Sequence, residues 1–158
     1  MAPTPLVRCA SASDLDGVLA LYRELRPHDP PLAPERARAL WQEVAQDRHS
    51  RIVVAEVDDG RIGATCMLAT VANLGSGGAR IGVIEHVITA ADCRRRGLAR
   101  QVLAHALELA WTDGCCKVLL LSGAQREEAH RLYAAVGFRG DSERGFVAKP
   151  PAPSSLQS

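Results

Sequence analysis

Ile81-Gly82-Val83-Ile84-Glu85-His86-Val87-Ile88-Thr89 and, two residues on, Asp92-Cys93-Arg94-Arg95-Arg96-Gly97-Leu98-Ala99-Arg100 are the stretches that decide the fold. The first is β-branched and apolar apart from Glu85 and His86, and predicts a strand. The second is an arginine-rich turn that opens directly into a helix over 96–113, where Leu103, Ala106, Leu107 and Ala110 form an apolar stripe and Gly114 supplies a C-terminal stop. Cys116–Leu121 predicts a buried strand. A helix between two such strands joins a parallel pair. Open α/β sheets hold ligands just beyond the carboxyl ends of their strands, so the site is expected at this edge. The turn suits an anion there: free N–H groups and the positive dipole end at a helix start, Gly97 for close backbone approach, and arginines as charged donors.

Upstream of that edge, Leu6–Cys9 is a short apolar run. Ser13 with Asp16 predicts a capped helix from about Asp14 to Arg26, along which Leu15, Val18, Leu19 and Tyr22 recur at i, i+3, i+4, i+7. Pro27, Pro30, Pro31 and Pro34 make a stiff connector to a second helix with Ala37, Leu40, Trp41 and Val44 at the same spacing. From Arg51 the pattern turns strand-like: Ile52–Val57, an Asp58-Asp59-Gly60 turn and Ile62–Val71 predict a β-hairpin, followed by a loop over Asn73–Ala79. Downstream, Gln125–Val136 predicts a last helix closed by Gly137, and Phe138 with Arg144–Lys149 predicts one or two short strands. The Pro/Ser-rich tail Pro150–Ser158 is expected to be disordered, leaving one domain over residues 1–149.

Composition narrows the function classes. The chain has 158 residues, of which 47% are hydrophobic and 23% charged, as for one globular domain or at most two. Nineteen Lys and Arg against eighteen Asp and Glu give a net charge of +1. That removes any global electrostatic case for nucleic acid or an anionic membrane as partner, so any anion site is local. Only Lys117 and Lys149 are lysines, which makes the Arg94–Arg100 cluster the more conspicuous. Five cysteines without a C-x-x-C pair fit neither a disulfide framework nor a zinc cage, and no metal site is expected. Cys93, beside three arginines, is read as a small residue without a helper base rather than a reactive thiol. Met1–Pro5 starts no signal segment, and no stretch is apolar enough to span a bilayer, so a soluble, cytoplasmic protein is expected. No G-x-x-x-x-G-K-[ST] occurs. Gly75-Ser-Gly-Gly-Ala-Arg80 lacks the third glycine of a dinucleotide fingerprint and precedes a strand.

Arg94-Arg95-Arg96-Gly97-Leu98-Ala99 matches the [Q/R]-x-x-G-x-[G/A] acetyl-CoA signature of the GNAT superfamily of N-acetyltransferases, and the chain resembles that family in order and spacing. The likeness takes in Ile84–Thr89 before the signature, Lys117–Gly123 as the next strand, and Ala129-His130-Arg131-Leu132-Tyr133 with Gly137-Phe138 closing the last helix. The resemblance implies an α/β fold: a mixed, mostly antiparallel sheet with one parallel strand pair joined by a helix and flanked by helices on both faces. It implies acetyl-CoA as donor. Backbone groups of Val87, Ile88 and Thr89 would pair with the pantetheine arm. Arg94 and the amides of Arg95, Arg96, Gly97, Leu98, Ala99 and Arg100 would hold the pyrophosphate, with the thioester in the gap between the parallel strands. Ala99 stands where many members carry glycine.

Acetyl transfer needs an unprotonated amine, a polarised thioester carbonyl and a proton for the departing thiolate. Glu85, a carboxylate in an apolar strand where low dielectric favours its protonated form, is the acid–base candidate; His86, one step along, is read as structural. Tyr133 is the proton donor by resemblance, although Ala129, Leu132, Tyr133 and Val136 also form an ordinary apolar stripe. The resemblance gives the Val87 N–H the carbonyl-polarising role. It places Arg26, His28, Asp29 and the 73–80 loop at the acceptor. The expected reaction is direct attack by a primary amine of a small molecule in a ternary complex. A protein N-terminus or lysine as acceptor, and a catalytically silent acyl-CoA-binding module, remain as alternatives; a homodimer is allowed.

Overall fold

The computed structural model describes residues 4–58 and 60–153; Asp59 of the expected hairpin turn, Met1–Pro3 and residues 154–158 of the expected tail lie outside the described residues. The strands are β1 (Leu6–Cys9), β2 (Ser50–Glu56), β3 (Ile62–Val71), β4 (Arg80–Thr89) and β5 (Cys115–Leu120). The helices are α1 (Leu15–Leu25), α2 (Pro34–Gln46), α3 (Leu98–Thr112) and α4 (Glu127–Val136). One sheet runs in the order β1-β2-β3-β4-β5, with antiparallel neighbours except for the parallel pair β4–β5 that α3 connects. The expected class holds, and none of the described helices is long and apolar enough to cross a membrane.

Helices cover both faces of the sheet. Val53, Val54 and Ala55 of β2 and Ala64, Thr65 and Cys66 of β3 are buried in succession, which alternation permits only if both faces are covered. Two glycines show what lies on each side. A Cβ on Gly17 of α1 would come within 2.9 Å of Ile62 Cγ1, while one on Gly63, the next residue of β3, would come within 3.0 Å of Leu98 Cδ1 of α3. Consecutive β3 residues thus meet α1 and α3 at a closeness that only a missing side chain allows. On α3 the buried face is Leu98, Val102, Leu103, Ala106 and Ala110; on α1 it is Val18 and Leu21.

Three expectations are corrected. The start of α1 is not capped by Ser13 and Asp16: a short 3₁₀ turn over Ala12–Asp14 precedes it, and Asp14 takes hydrogen bonds from Ser11 N (2.7 Å) and Ser11 Oγ (3.1 Å). Asp14 is held there because Arg8 on β1 grips it with two bonds (2.6 and 3.1 Å) while also reaching Glu56 on β2. Among the described residues, 138–149 form no strand, although Phe138 and Arg144–Lys149 have strand-like composition. In consequence β5 is an edge strand rather than a buried one, and Leu119 and Leu121 at its end are exposed.

The Arg8 guanidinium, ahead of the opposing effect of burial, holds the Asp14 carboxyl below its ordinary value of 3.8. A carboxyl lowered in the folded state contributes stability above its unfolded pKa and loses it as pH falls through the folded value. Asp14→Asn should therefore cost about 1–3 kcal/mol at pH 7. The gap from the unmodified protein should close well below pH 4, as read from denaturant melts at the two pH values.

Candidate active site

Hydrogen-bonded pairing between β4 and β5 ends at Ile84 and Leu120, yet β4 runs on to Thr89. From Glu85 onward, β4 keeps β3 on one side and, among the described residues, has no strand on the other. A bulge accompanies the parting: Met67 faces Glu85 and Thr65 faces Ile88, so His86 and Val87 together oppose Cys66. His86 takes up the extra residue in the left-handed region, at φ 54°, and its ring lies 4.8 Å from that of Tyr22 on α1. Strict alternation, which would set Glu85 and His86 on opposite faces, is interrupted at this point.

The gap opens into a cleft of about 760 Å³ bounded by the end of α1, the free half of β4, the start of α3 and the start of α4. Of the expected binding residues, Val87, Ile88, Thr89, Arg94, Arg95, Gly97, Leu98, Ala99 and Arg100 line it, and so does Tyr133. Ile88 and Leu98 are almost wholly buried and form an apolar floor. Above them the turn before α3 places both Arg95 (φ 63°) and Gly97 (φ 74°) in the left-handed region, a backbone course that turns successive N–H groups toward one point. Gln101 N to Gly97 O, at 3.2 Å, closes the first turn of α3, so the N–H groups of Leu98, Ala99 and Arg100 emerge from the helix end without intrahelical partners. With the guanidinium groups of Arg94, Arg95 and Arg100 beside them, they form a cradle for a polyanion. Glu24 Oε2 accepts from Ala91 N at 3.1 Å and ties the turn to α1.

Two expected residues are placed elsewhere. Arg96 does not line the cleft: its guanidinium reaches Asp58 Oδ1 at 3.4 Å, so only its backbone is available to the cradle. Glu85 is exposed and is not a cleft-lining residue; the enclosure among apolar neighbours that its strand suggested is absent, because β5 has already left β4 at this point. On the acceptor side, Arg26 is paired with Asp29 at 2.6 Å, both groups being half-exposed, and His28 is exposed. The 73–80 loop closes on itself through Asn73, and Arg80 donates to Thr70 Oγ1 and Thr70 O (3.2 and 2.9 Å) at the end of β4 remote from the cleft. Cys93 is buried, with Arg61 Nη2 at 3.4 Å from its sulfur, in keeping with a packed thiol.

Tyr133 is 8% exposed and sets its ring edge-on to Phe138 at 6.2 Å. Burial raises its phenol above the ordinary value of 10, and Arg126 and Ser122 draw it partly back. Arg126 and its neighbours Gln125, Glu127 and Glu128 also line the cleft and were not anticipated. Their signal was available: α4 starts just past the carboxyl end of β5, where its first residues face whatever the sheet edge holds.

The profile of the Acetyltransferase (GNAT) family matches residues 17–138. Glucosamine 6-phosphate N-acetyltransferase 1 of Oryza sativa subsp. japonica is 32% identical over 124 residues, covering 77% of this chain and 73% of that protein. Aminoglycoside N(6')-acetyltransferase type 1 of Serratia marcescens is 29% identical over 133 residues, covering 83% and 88%. A solved protein of Agrobacterium tumefaciens str. C58 superposes with a TM-score of 0.85 at 34% identity, over 92% of this chain and 99% of its own.

A Cβ on Gly97 would meet no atom within 4 Å, so the demand for glycine there is conformational rather than steric. Gly97→Ala should cost about 1–2 kcal/mol and Gly97→Asn distinctly less, because asparagine tolerates the left-handed region. Equal losses in chemical denaturation would contradict that cause.

Proposed function

The chain belongs to the GNAT acetyltransferase family and is an N-acetyltransferase, and from that premise we propose that residues 1–149 act as one domain that moves an acetyl group from acetyl-CoA to a primary amine of a small molecule. The observation that carries the donor assignment is the coincidence, in one cleft, of a free strand edge with a polyanion cradle. The unpaired edge of β4 over Val87–Thr89 offers an extended amide-bearing arm the hydrogen bonds of a strand partner, as pantetheine requires. The start of α3 lies one turn further on, where a diphosphate attached to that arm would reach it. A small amine as acceptor is supported by the relatives, which act on glucosamine 6-phosphate and on aminoglycosides.

In the reaction the amine, freed of its proton, attacks the thioester carbonyl, whose developing charge the Val87 N–H faces. Exposed Glu85, at the bulge where β4 and β5 part, takes the ammonium proton through water. Collapse of the tetrahedral intermediate expels the thiolate, and Tyr133, on the wall of the cleft, protonates it. The open edge of β5, with Leu119, Leu121 and Phe146 exposed beside it, is the surface a homodimer would cover.

Free-thiol release from acetyl-CoA, screened over a panel of aminoglycosides, amino sugars and their phosphates, tests donor and acceptor together. Acetyl-CoA should raise the melting temperature by linkage and pantetheine much less; equal shifts would remove the cradle. Tyr133→Phe, which conserves shape, should keep fold and acetyl-CoA affinity but lower turnover by about a hundredfold, the low end for general acid catalysis from a good leaving group. Glu85→Gln should slow turnover most at low pH, where free amine is scarce, and a pH–rate profile like that of the unmodified enzyme would take Glu85 out of the mechanism.

A further inference from the structure

A second cleft, about 1190 Å³, lies along β5 and α4 and takes in the chain that follows α4. Its half-buried lining is apolar apart from Ser122: Leu107 of α3, Val118 and Leu120 of β5, Val136 of α4, and Phe138. The charged residues that border it are exposed. Tyr133 lines this cleft as well as the first, so its ring is part of the wall between them. Phe138 lines the second cleft and not the first, and backs that wall. The local sequence explains how it gets there. Gly137, at φ 114°, ends α4 in the left-handed region, and Phe138 N donates to Tyr133 O at 2.9 Å, which turns the chain back over the last turn of the helix. The Phe138 ring thereby meets the Tyr133 ring edge-on, at 6.2 Å and 72°.

We propose that the Tyr133–Phe138 ring pair sets the length of the acyl group that the enzyme transfers: it walls the acyl-CoA cleft off from the apolar space beyond, so that acetyl and similarly short thioesters are used and longer chains gain nothing. This rests on the proposed reading of the first cleft as the acyl-CoA site, with the thioester beside Tyr133. The acyl carbon is bonded to the sulfur that Tyr133 protonates in that reading, so the tail of a longer acyl group starts next to this ring. Each methylene moved from water to apolar surroundings strengthens binding about fourfold. The second cleft has room for a longer chain and apolar side chains to receive it, and the ring pair denies it that gain. Phe138 has no polar side-chain atom to offer the reaction. Its contribution is to hold the wall where it stands: the Tyr133 ring, almost wholly buried, cannot swing into the second cleft while the Phe138 ring lies against it.

The test reads a gain of affinity, which a packing defect does not produce. Calorimetric titration of the full chain with acetyl-CoA and with hexanoyl-CoA needs no amine. The unmodified protein should bind hexanoyl-CoA no more tightly than acetyl-CoA. Tyr133→Ala, which removes the wall, and Phe138→Ala, which removes its backing, should each bind hexanoyl-CoA about tenfold more tightly than acetyl-CoA, as burial of part of the longer chain requires. Adding Leu107→Trp, which refills the second cleft from α3, should return the ratio to that of the unmodified protein. Phe138→Leu, a smaller cut, takes the place of an alanine variant that circular dichroism shows to be unfolded. The proposal is overturned if the unmodified protein already prefers hexanoyl-CoA as strongly as the opened variants do. It is overturned equally if the folded variants bind acetyl-CoA with no gain for hexanoyl-CoA, or if the gain survives Leu107→Trp. If the unmodified protein binds neither thioester, the acyl-CoA reading of the first cleft itself falls, and the proposal with it.

Discussion

The parting of β4 from β5 is the constraint on which the site depends. A strand inside a sheet spends its N–H and C=O groups on both neighbours, and buried backbone groups left unpaired are costly. After Ile84 and Leu120 the parallel pairing stops, and the remaining length of β4 is bonded to β3 alone. Its outer edge is therefore a row of oriented donors and acceptors in want of a partner. The bulge at His86 and Val87 makes the separation tolerable, because an extra residue on β4 increases local twist and swings the strand end away from β5 without breaking the ladder to β3. His86 adopts a left-handed backbone there, a conformation uncommon outside glycine and asparagine, and its ring contact with Tyr22 holds the bulge against α1.

What keeps the opened edge from collapsing is the rigidity of its surroundings. Leu98, the first residue of α3, is buried against Gly63 of β3, so the helix start that carries the cradle is anchored in the core. The turn before it, strained at Arg95, is over-determined by this anchor and by the Glu24 carboxylate that accepts from Ala91 N. On the far side of the sheet the Arg8–Asp14–Glu56 cluster fastens β1, the start of α1 and β2 together. That fixes the helix whose other end borders the cleft.

In the proposed reading of Tyr133, packing and chemistry share a residue. Its place on the apolar stripe of α4 buries the ring and fixes it against Phe138, while the same burial raises the phenol and keeps the proton on it at neutral pH. The proposed acid and an ordinary core residue ask for the same thing here, a ring that does not move. That is why periodicity alone could not tell the two readings apart.

Much of this was determined by the sequence alone. The β-branched runs, the prolines between the first two helices and the arginine-rich turn into α3 specified the elements and the single parallel pair, because local propensity and capping act over a few residues. Tertiary structure decided what depends on distant partners. Asp14 caps through Ser11 because Arg8 of β1 draws it there, and Arg96 leaves the cleft because Asp58 of the hairpin turn is within reach. The exposure of Glu85 and the edge position of β5 depend on where strand pairing stops and on residues 138–149, which form no strand despite strand-like composition.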